Sequence, residues 1–175
     1  ISFEVFADDF KEMERQAKEI SSWGDNVYVK IPITNTKQEK SIDLVSRLTS
    51  MDIKLNITAL MTNEQVKDCV GVIKPGVPCY ISVFAGRIAD TGIDPIPMMT
   101  EALEIMSVNK SLELIWASPR ELLNIIQAND IGCHVITVTD DIIKKLKIIG
   151  YNLDNYSLDT VKMFYDDAKK AGYTL

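Results

Sequence analysis

One lysine interrupts an otherwise apolar run that has the composition of a buried strand. Lys30 lies inside residues 27–34, where the other side chains are mostly β-branched or aromatic. A buried ammonium is costly unless it is paired or loses its proton. Burial lowers the pKa of a lysine by as much as ~3–5 units, which makes the amine a nucleophile, as in Schiff-base enzymes. The alternative is a strand-edge lysine whose ammonium reaches solvent along its apolar stem.

Polar side chains recur at matching positions in the neighbouring strand-like runs. Glu4, Lys30, Asn56 and Ser82 follow one another at intervals of 26 residues, and Thr58 lies two positions after Asn56. Strand side chains alternate in direction, so these residues share one face and their apolar neighbours the other. A single buried polar group is usually a satisfied core residue. An acid, an amine, an amide and two hydroxyls on one interior indicate an active site instead.

Strand-like and helix-like segments alternate along the chain and must position these groups. The predicted strands are residues 1–7, 26–34, 54–60, 79–85, 112–118 and 134–139. Apolar spacing and capping residues predict helices over residues 9–22, 39–51, 62–70, 98–109, 119–129, 140–149 and 157–171. Six strand–helix repeats predict an α/β fold with a parallel sheet. Their near-constant spacing favours a (β/α) TIM-type barrel over a doubly wound open sheet, which would show a glycine-rich first turn.

Composition narrows the classes of function. A net charge of −6 disfavours general binding of nucleic acid or of anionic membranes, and no apolar run reaches the ~18 residues that span a bilayer. The three cysteines, Cys69, Cys79 and Cys133, contain no CxxC pair, which predicts free thiols in a reducing cytosol. The chain has a single histidine, His134, which is too few for most zinc sites, so we expect no metal.

Five ordered motifs resemble the transaldolase family, which includes small fructose-6-phosphate aldolase-like members. The motifs are Glu4-Val5 and residues 30–34, 56–58, 82–87 and 117–120. The resemblance extends over essentially the whole chain and corresponds to the third through eighth strands of that family's barrel, plus its final helix. We therefore expect one barrel domain over residues 1–175 with six of the eight β/α units, and two further units before Ile1.

The resemblance implies a role for each polar residue on the shared face. Lys30 matches the Schiff-base lysine. Glu4 and Thr58 match the residues that hold the catalytic water used for proton transfer. Asn56 and Ser82 match residues that bind the hydroxyls of the dihydroxyacetone unit.

The same resemblance implies a phosphate-binding group made of Ser118, Arg87 and Arg120. The forked guanidinium of arginine suits a phosphate dianion, although Arg87 has the alternative of a surface ion pair. Phe84 stands where the aldolase branch has a proton-transferring tyrosine and where transaldolases have phenylalanine. This residue favours group transfer over simple aldol cleavage.

The implied function is that of a cofactor-independent cytoplasmic transaldolase of the pentose phosphate pathway. It would transfer a dihydroxyacetone unit from fructose 6-phosphate to an aldose phosphate. Two alternatives stay open, namely a fructose-6-phosphate aldolase that releases free dihydroxyacetone and a non-catalytic barrel fragment. We expect sugar phosphates as partners and a homo-oligomer, in which helix 157–171 packs on a neighbouring subunit or on its own barrel.

Overall fold

Six short strands pair side by side, in chain order, to form one parallel sheet. They are β1 Ser2–Glu4, β2 Tyr28–Pro32, β3 Leu55–Leu60, β4 Cys79–Val83, β5 Leu112–Trp116 and β6 Val135–Ile136. Sequential order with parallel pairing throughout is the arrangement of a (β/α) barrel, whereas a doubly wound sheet reverses its order at a switch point. The predicted TIM-type fold is confirmed, and each predicted strand contains the observed one.

Helices alternate with the strands in this computed structural model, which describes residues 1–174. They are α1 Phe10–Ser21, α2 Ile42–Ser50, α3 Asn63–Val72, α4 Ala85–Asp90, α5 Pro95–Met106, α6 Leu123–Asp130, α7 Asp140–Lys144 and α8 Leu153–Ala171, with a 3₁₀ turn over Lys145–Ile148. The chain divides into two compact units, of which Ile1–Val138 contains the whole sheet and the second starts at Thr139. Within residues 1–174, no helix has the length and apolar character needed to cross a membrane.

The sheet buries its apolar side chains against the helices. Most fully buried residues of β2 to β4 occupy odd positions, such as Val29, Ile57 and Ile81, and Leu60 at the end of β3 is the exception. Helix residues such as Met13 and Leu48 belong to the same core. Close packing of this kind leaves the even positions of these strands to the opposite face. The polar residues singled out in the sequence are therefore kept together on one side of the sheet.

Helix boundaries follow local hydrogen bonding. Helix α3 starts at a capping box, in which Thr62 Oγ1 accepts from the Gln65 amide and Gln65 Oε1 accepts from the Thr62 amide. The predicted helix 119–129 starts only at Leu123. The Asn124 side chain accepts from the amides of Arg120 and Glu121, which fixes a turn before the helix.

Helix α4 was not expected from the sequence, which predicts a strand end and a loop over residues 85–90. Its six residues are too few to show a helical period, and its N-terminal flanking residue, Phe84, makes no side-chain cap. This helix matters for the site because it follows β4 directly in the chain and carries Arg87.

Candidate active site

An open cavity of about 430 Å³ lies against the polar face of the sheet. Its walls come from β1 to β5 and from the segments that follow β4, β5 and β6. The lining residues are Ser2, Lys30, Asn56, Thr58, Ser82, Phe84, Ile115, Ala117, Ser118 and Thr137. Active sites of β/α barrels lie where the strands end, so this cavity is the candidate active site.

Lys30 and Glu4 form an ion pair at the wall of the cavity. Lys30 Nζ lies 3.2 Å from Glu4 Oε2, and the two side chains are 30% and 48% exposed. The pair follows from strand register, because Glu4 of β1 is aligned with Lys30 of β2. The strand is thus not buried on both faces as its apolar run suggests, since Val29 and Ile31 are fully buried but Lys30 faces the cavity. A carboxylate beside an amine can take up its proton and assist its attack on a carbonyl.

Asn56 is held between two serines. Ser82 Oγ donates to Asn56 Oδ1 at 2.7 Å, and Asn56 Nδ2 donates to Ser2 Oγ at 3.0 Å. Asn56 and Ser82 are nearly buried, at 6% and 3% exposure. The three side chains form one hydrogen-bonded row across β1, β3 and β4, which fixes the amide beside Lys30. We call Lys30, Glu4, Asn56 and Ser82 the lysine centre.

Sequence reasoning missed Ser2 in this row. The signal was present, because Ser2 stands two positions before Glu4 on β1 and therefore on the same face.

Thr58 lines the cavity and carries a buried, unpaired hydroxyl. The residue is 3% exposed, and its Oγ1 is buried without a hydrogen-bond partner among the described residues. Directly after it, Ala59 has a φ of 64°, and the β3–β4 register shifts between Ile57 and Leu60. A bulge of this kind redirects a side chain, and the left-handed backbone at an alanine is strained. A buried hydroxyl without a partner would gain a hydrogen bond if a water or a substrate oxygen reached it.

Ser118 is brought to the cavity by a close approach between helix α4 and the segment after β5. Gly86 of α4 stands so near that a Cβ on it would lie 1.5 Å from the Ser118 carbonyl oxygen. Ser118 itself has a φ of 60°, and the Gly86 amide donates to Ala117 O at 3.3 Å. Only glycine permits this approach. Ser118, one of the predicted phosphate-binding residues, is therefore in direct contact with Gly86 of α4.

The two arginines lie beside this contact, and neither lines the cavity. The Arg87 guanidinium is 5.7 Å from the centre of the Phe84 ring, and no described residue forms an ion pair with it. Arg120 instead makes an exposed ion pair with Asp90, in which Nε lies 3.1 Å from Oδ1 and Nη2 contacts Oδ2. We call Arg87, Arg120 and Asp90 the arginine rim.

The cysteines and the histidine are engaged elsewhere. Burial raises the pKa of the Cys69 thiol to about 12 and that of the Cys79 thiol to about 11, which makes both poor nucleophiles. Cys133 Sγ contacts two backbone carbonyl oxygens, whereas His134 Nδ1 accepts from the Leu114 amide at 3.0 Å. Cys133 and His134 therefore do not form a catalytic pair.

Comparison with known proteins identifies relatives of this chain. A sequence model of the family described as Transaldolase/Fructose-6-phosphate aldolase matches residues 1–175. A probable transaldolase of Thermoanaerobacter sp. (strain X514) is 28% identical over 98% of this chain and 74% of its own length. One from Streptococcus agalactiae serotype V is 31% identical over 97% of this chain and 75% of its own. One from Clostridium kluyveri is 32% identical over 79% of this chain and 61% of its own.

A solved structure supports the fold alone. A mutant mandelate oxidase with a monooxide FMN adduct matches with a TM-score of 0.57 at 16% identity, over 78% of this chain and 47% of that one. The chain spans between 61% and 75% of the length of the three transaldolase relatives. Since the family model matches the chain from end to end, the chain belongs to the transaldolase/fructose-6-phosphate aldolase family.

Proposed function

We propose that this protein is a Schiff-base transaldolase. It would transfer a dihydroxyacetone unit from a ketose phosphate, such as fructose 6-phosphate, to an aldose phosphate acceptor. The observation that carries the proposal is Lys30, which faces the cavity and whose Nζ lies 3.2 Å from Glu4 Oε2. Membership of the family supports an aldolase-type transferase.

Lys30 would act as the nucleophile. Its neutral amine attacks the ketone carbon, and the resulting carbinolamine loses water to give an iminium ion. The C3–C4 bond then breaks, the electron pair moves into the iminium to form an enamine, and the aldose phosphate leaves. The enamine adds to the acceptor aldehyde, and hydrolysis of the new iminium frees the product and Lys30.

Glu4 and Thr58 would handle the protons. Glu4 accepts a proton from the attacking amine, and a water held on the unpaired Thr58 hydroxyl carries protons between the carboxylate and the substrate oxygens. Asn56 and Ser82 would bind substrate hydroxyls. Since their own hydrogen bond fixes them, they need little reorganisation when the substrate arrives.

Ser118, Arg87 and Arg120 would bind the substrate phosphate. Ser118 lines the cavity, and the close contact with Gly86 keeps its segment beside the helix that carries Arg87. Binding energy from the distant phosphate would orient the reacting carbons.

Phe84 supports transfer over simple cleavage. It lines the cavity and brings no hydroxyl that could protonate the enamine. An enamine that is not protonated waits for the acceptor aldehyde. A fructose-6-phosphate aldolase would differ by releasing dihydroxyacetone without an acceptor, and a non-catalytic fragment would release nothing.

The experiment that tests the proposal is borohydride reduction in the presence of fructose 6-phosphate, followed by peptide mass mapping. We expect a reduced three-carbon adduct on Lys30. The variant Lys54→Arg, changed just before β3, is the matched control and should retain the adduct. A folded protein without an adduct, or an adduct on another lysine, would contradict the proposal.

We further propose a place and an assembly for the enzyme. Its free thiols are typical of a reducing compartment, which supports a cytoplasmic enzyme, and a transaldolase there would serve the pentose phosphate pathway. Helix α8 exposes large apolar side chains such as Leu153, Val161 and Phe164, which supports packing against a neighbouring copy in a homo-oligomer. Light scattering of the purified protein tests the assembly, and a monomer would contradict it.

A further inference from the structure

One face of helix α4 supports the segment that carries Arg120. Gly86 and Asp90 stand four residues apart, so they lie on the same face of the helix. At Gly86, a Cβ would lie 1.5 Å from the Ser118 carbonyl oxygen and 3.3 Å from Arg120 Nε. The helix therefore approaches both the backbone of the segment and the guanidinium of Arg120.

Asp90 holds that guanidinium by one edge. The Nε donor lies 3.1 Å from Oδ1, and the Nη2 donor contacts Oδ2. Two parallel hydrogen bonds fix the plane of an arginine as well as its position. In the described part of the chain, Nη1 has no hydrogen-bond partner, so its two donors remain for a ligand.

We propose that Asp90 is a positioning residue for phosphorylated substrates. It fixes Arg120 by the Nε edge so that the Nη1 end can bind the substrate phosphate. This proposal rests on the proposed function, in which Arg120 binds that phosphate. A free arginine side chain loses rotamer freedom when it binds a ligand, and an arginine already fixed in place loses less.

The carboxylate of Asp90 also repels a phosphate, and the two effects oppose each other. The ion pair is half exposed, with Arg120 and Asp90 side chains at 48% and 52% exposure. Solvent and salt screen a charge in that setting. Bidentate geometry is not screened in the same way, so we expect positioning to exceed repulsion.

The test compares phosphorylated and unphosphorylated substrates in the full-length polypeptide. For Asp90→Ala, we expect the KM for fructose 6-phosphate to rise about three- to fivefold, with kcat within about twofold of the wild type. The inhibition constant of inorganic phosphate should rise by the same factor. The KM for fructose, which has no phosphate, should stay unchanged. Asp90→Asn keeps one acceptor for Nε and should restore part of the affinity.

A matched control is Asp52→Asn, which removes an exposed carboxylate paired with Lys74 at 2.7 Å, away from the cavity. It should leave all constants unchanged. Unchanged or tighter phosphate inhibition in Asp90→Ala would overturn the proposal, and so would an equal rise in KM for fructose. Failure of the proposed function is a separate result, because the wild type would then form no adduct on Lys30. Calorimetric titration with inorganic phosphate would still compare Asp90→Ala with the wild type in that case.

Discussion

The lysine centre and the arginine rim are built by different means. Residues of the lysine centre stand on paired strands. Strand register aligns Glu4 with Lys30 and Lys30 with Asn56, and a hydrogen bond joins Asn56 to Ser82 on the next strand. The rim depends on a six-residue helix and a turn, joined by an exposed ion pair and by one glycine. Strand-based groups are held by the whole sheet, whereas loop-based groups are held by a few contacts. Substitutions in the lysine centre should therefore lower turnover, and substitutions in the arginine rim should weaken substrate binding.

The largest contrast is expected from removing the proposed nucleophile. Lys30→Met keeps a side chain of similar length but no amine, so we expect turnover and the borohydride adduct to disappear. Arg120→Ala should instead retain the adduct and raise the KM for fructose 6-phosphate, because it removes binding and leaves the reacting amine in place. Mass mapping and steady-state kinetics of the two variants measure the difference. If Arg120→Ala also lost the adduct, the division between centre and rim would be wrong.

Thr58→Val separates chemistry from stability at a cavity residue on the same strand as Asn56 of the lysine centre. The hydroxyl has no partner among the described residues, so its loss should leave the free energy of unfolding unchanged or raise it by about 1 kcal/mol. Turnover should fall by about 10²-fold, because the water used for proton transfer loses its support. Urea unfolding measures the effect on stability, and kcat measures the effect on turnover. A clear loss of stability would mean that this hydroxyl has a structural partner.

Gly86→Ala tests how tightly the rim is packed. A methyl group would collide with the Ser118 carbonyl oxygen, so we expect a loss of about 1–3 kcal/mol of stability and weaker phosphate inhibition. Gly71→Ala in α3 is the matched control. Nothing lies within 4 Å of a Cβ there, so it should gain about 0.5–1 kcal/mol. Thermal unfolding measures the change in stability of both variants. A change of the same sign in both would contradict the close contact at Gly86.

Glu14→Gln tests how much an ion pair away from the site contributes to stability, and we expect it to have the smallest effect of these variants. Glu14 Oε1 lies 2.7 Å from Lys18 Nζ, and Glu14 Oε2 lies 2.9 Å from Arg47 Nε. The hydrogen bonds from Lys18 and then from Arg47 lower the pKa of the Glu14 carboxyl below its ordinary value of 4.5. Because the folded pKa is lowered, the stabilisation is present above the unfolded value and is lost as the pH falls through the folded one.

We therefore expect Glu14→Gln to lower the free energy of unfolding by about 0.5–1 kcal/mol at pH 7. The difference from the wild type should vanish as the pH falls through the folded pKa, which lies below the ordinary value for a glutamate. Urea unfolding at several pH values measures it. A difference that persists in acid would show that packing, and not charge, accounts for the effect.

The lysine centre could be predicted from the sequence because its geometry is periodic. Residues 26 apart lie on neighbouring strands, and alternation along each strand selects the face. The same reasoning could not predict the strained Ala59, since nothing in a short apolar strand indicates an extra residue. It also could not predict α4, which is too short to show a helical period, or the Asp90–Arg120 pair, whose residues are 30 positions apart in the sequence.

The strained backbone at Ala59 has a consequence for how the enzyme would respond to heat. A residue held against its own preference returns to an ordinary conformation as soon as the surrounding sheet loosens. Thr58 would then turn away from the cavity while most of the core was still intact. Activity should therefore disappear several degrees before the protein melts, and cooling should restore it, because nothing has aggregated in between.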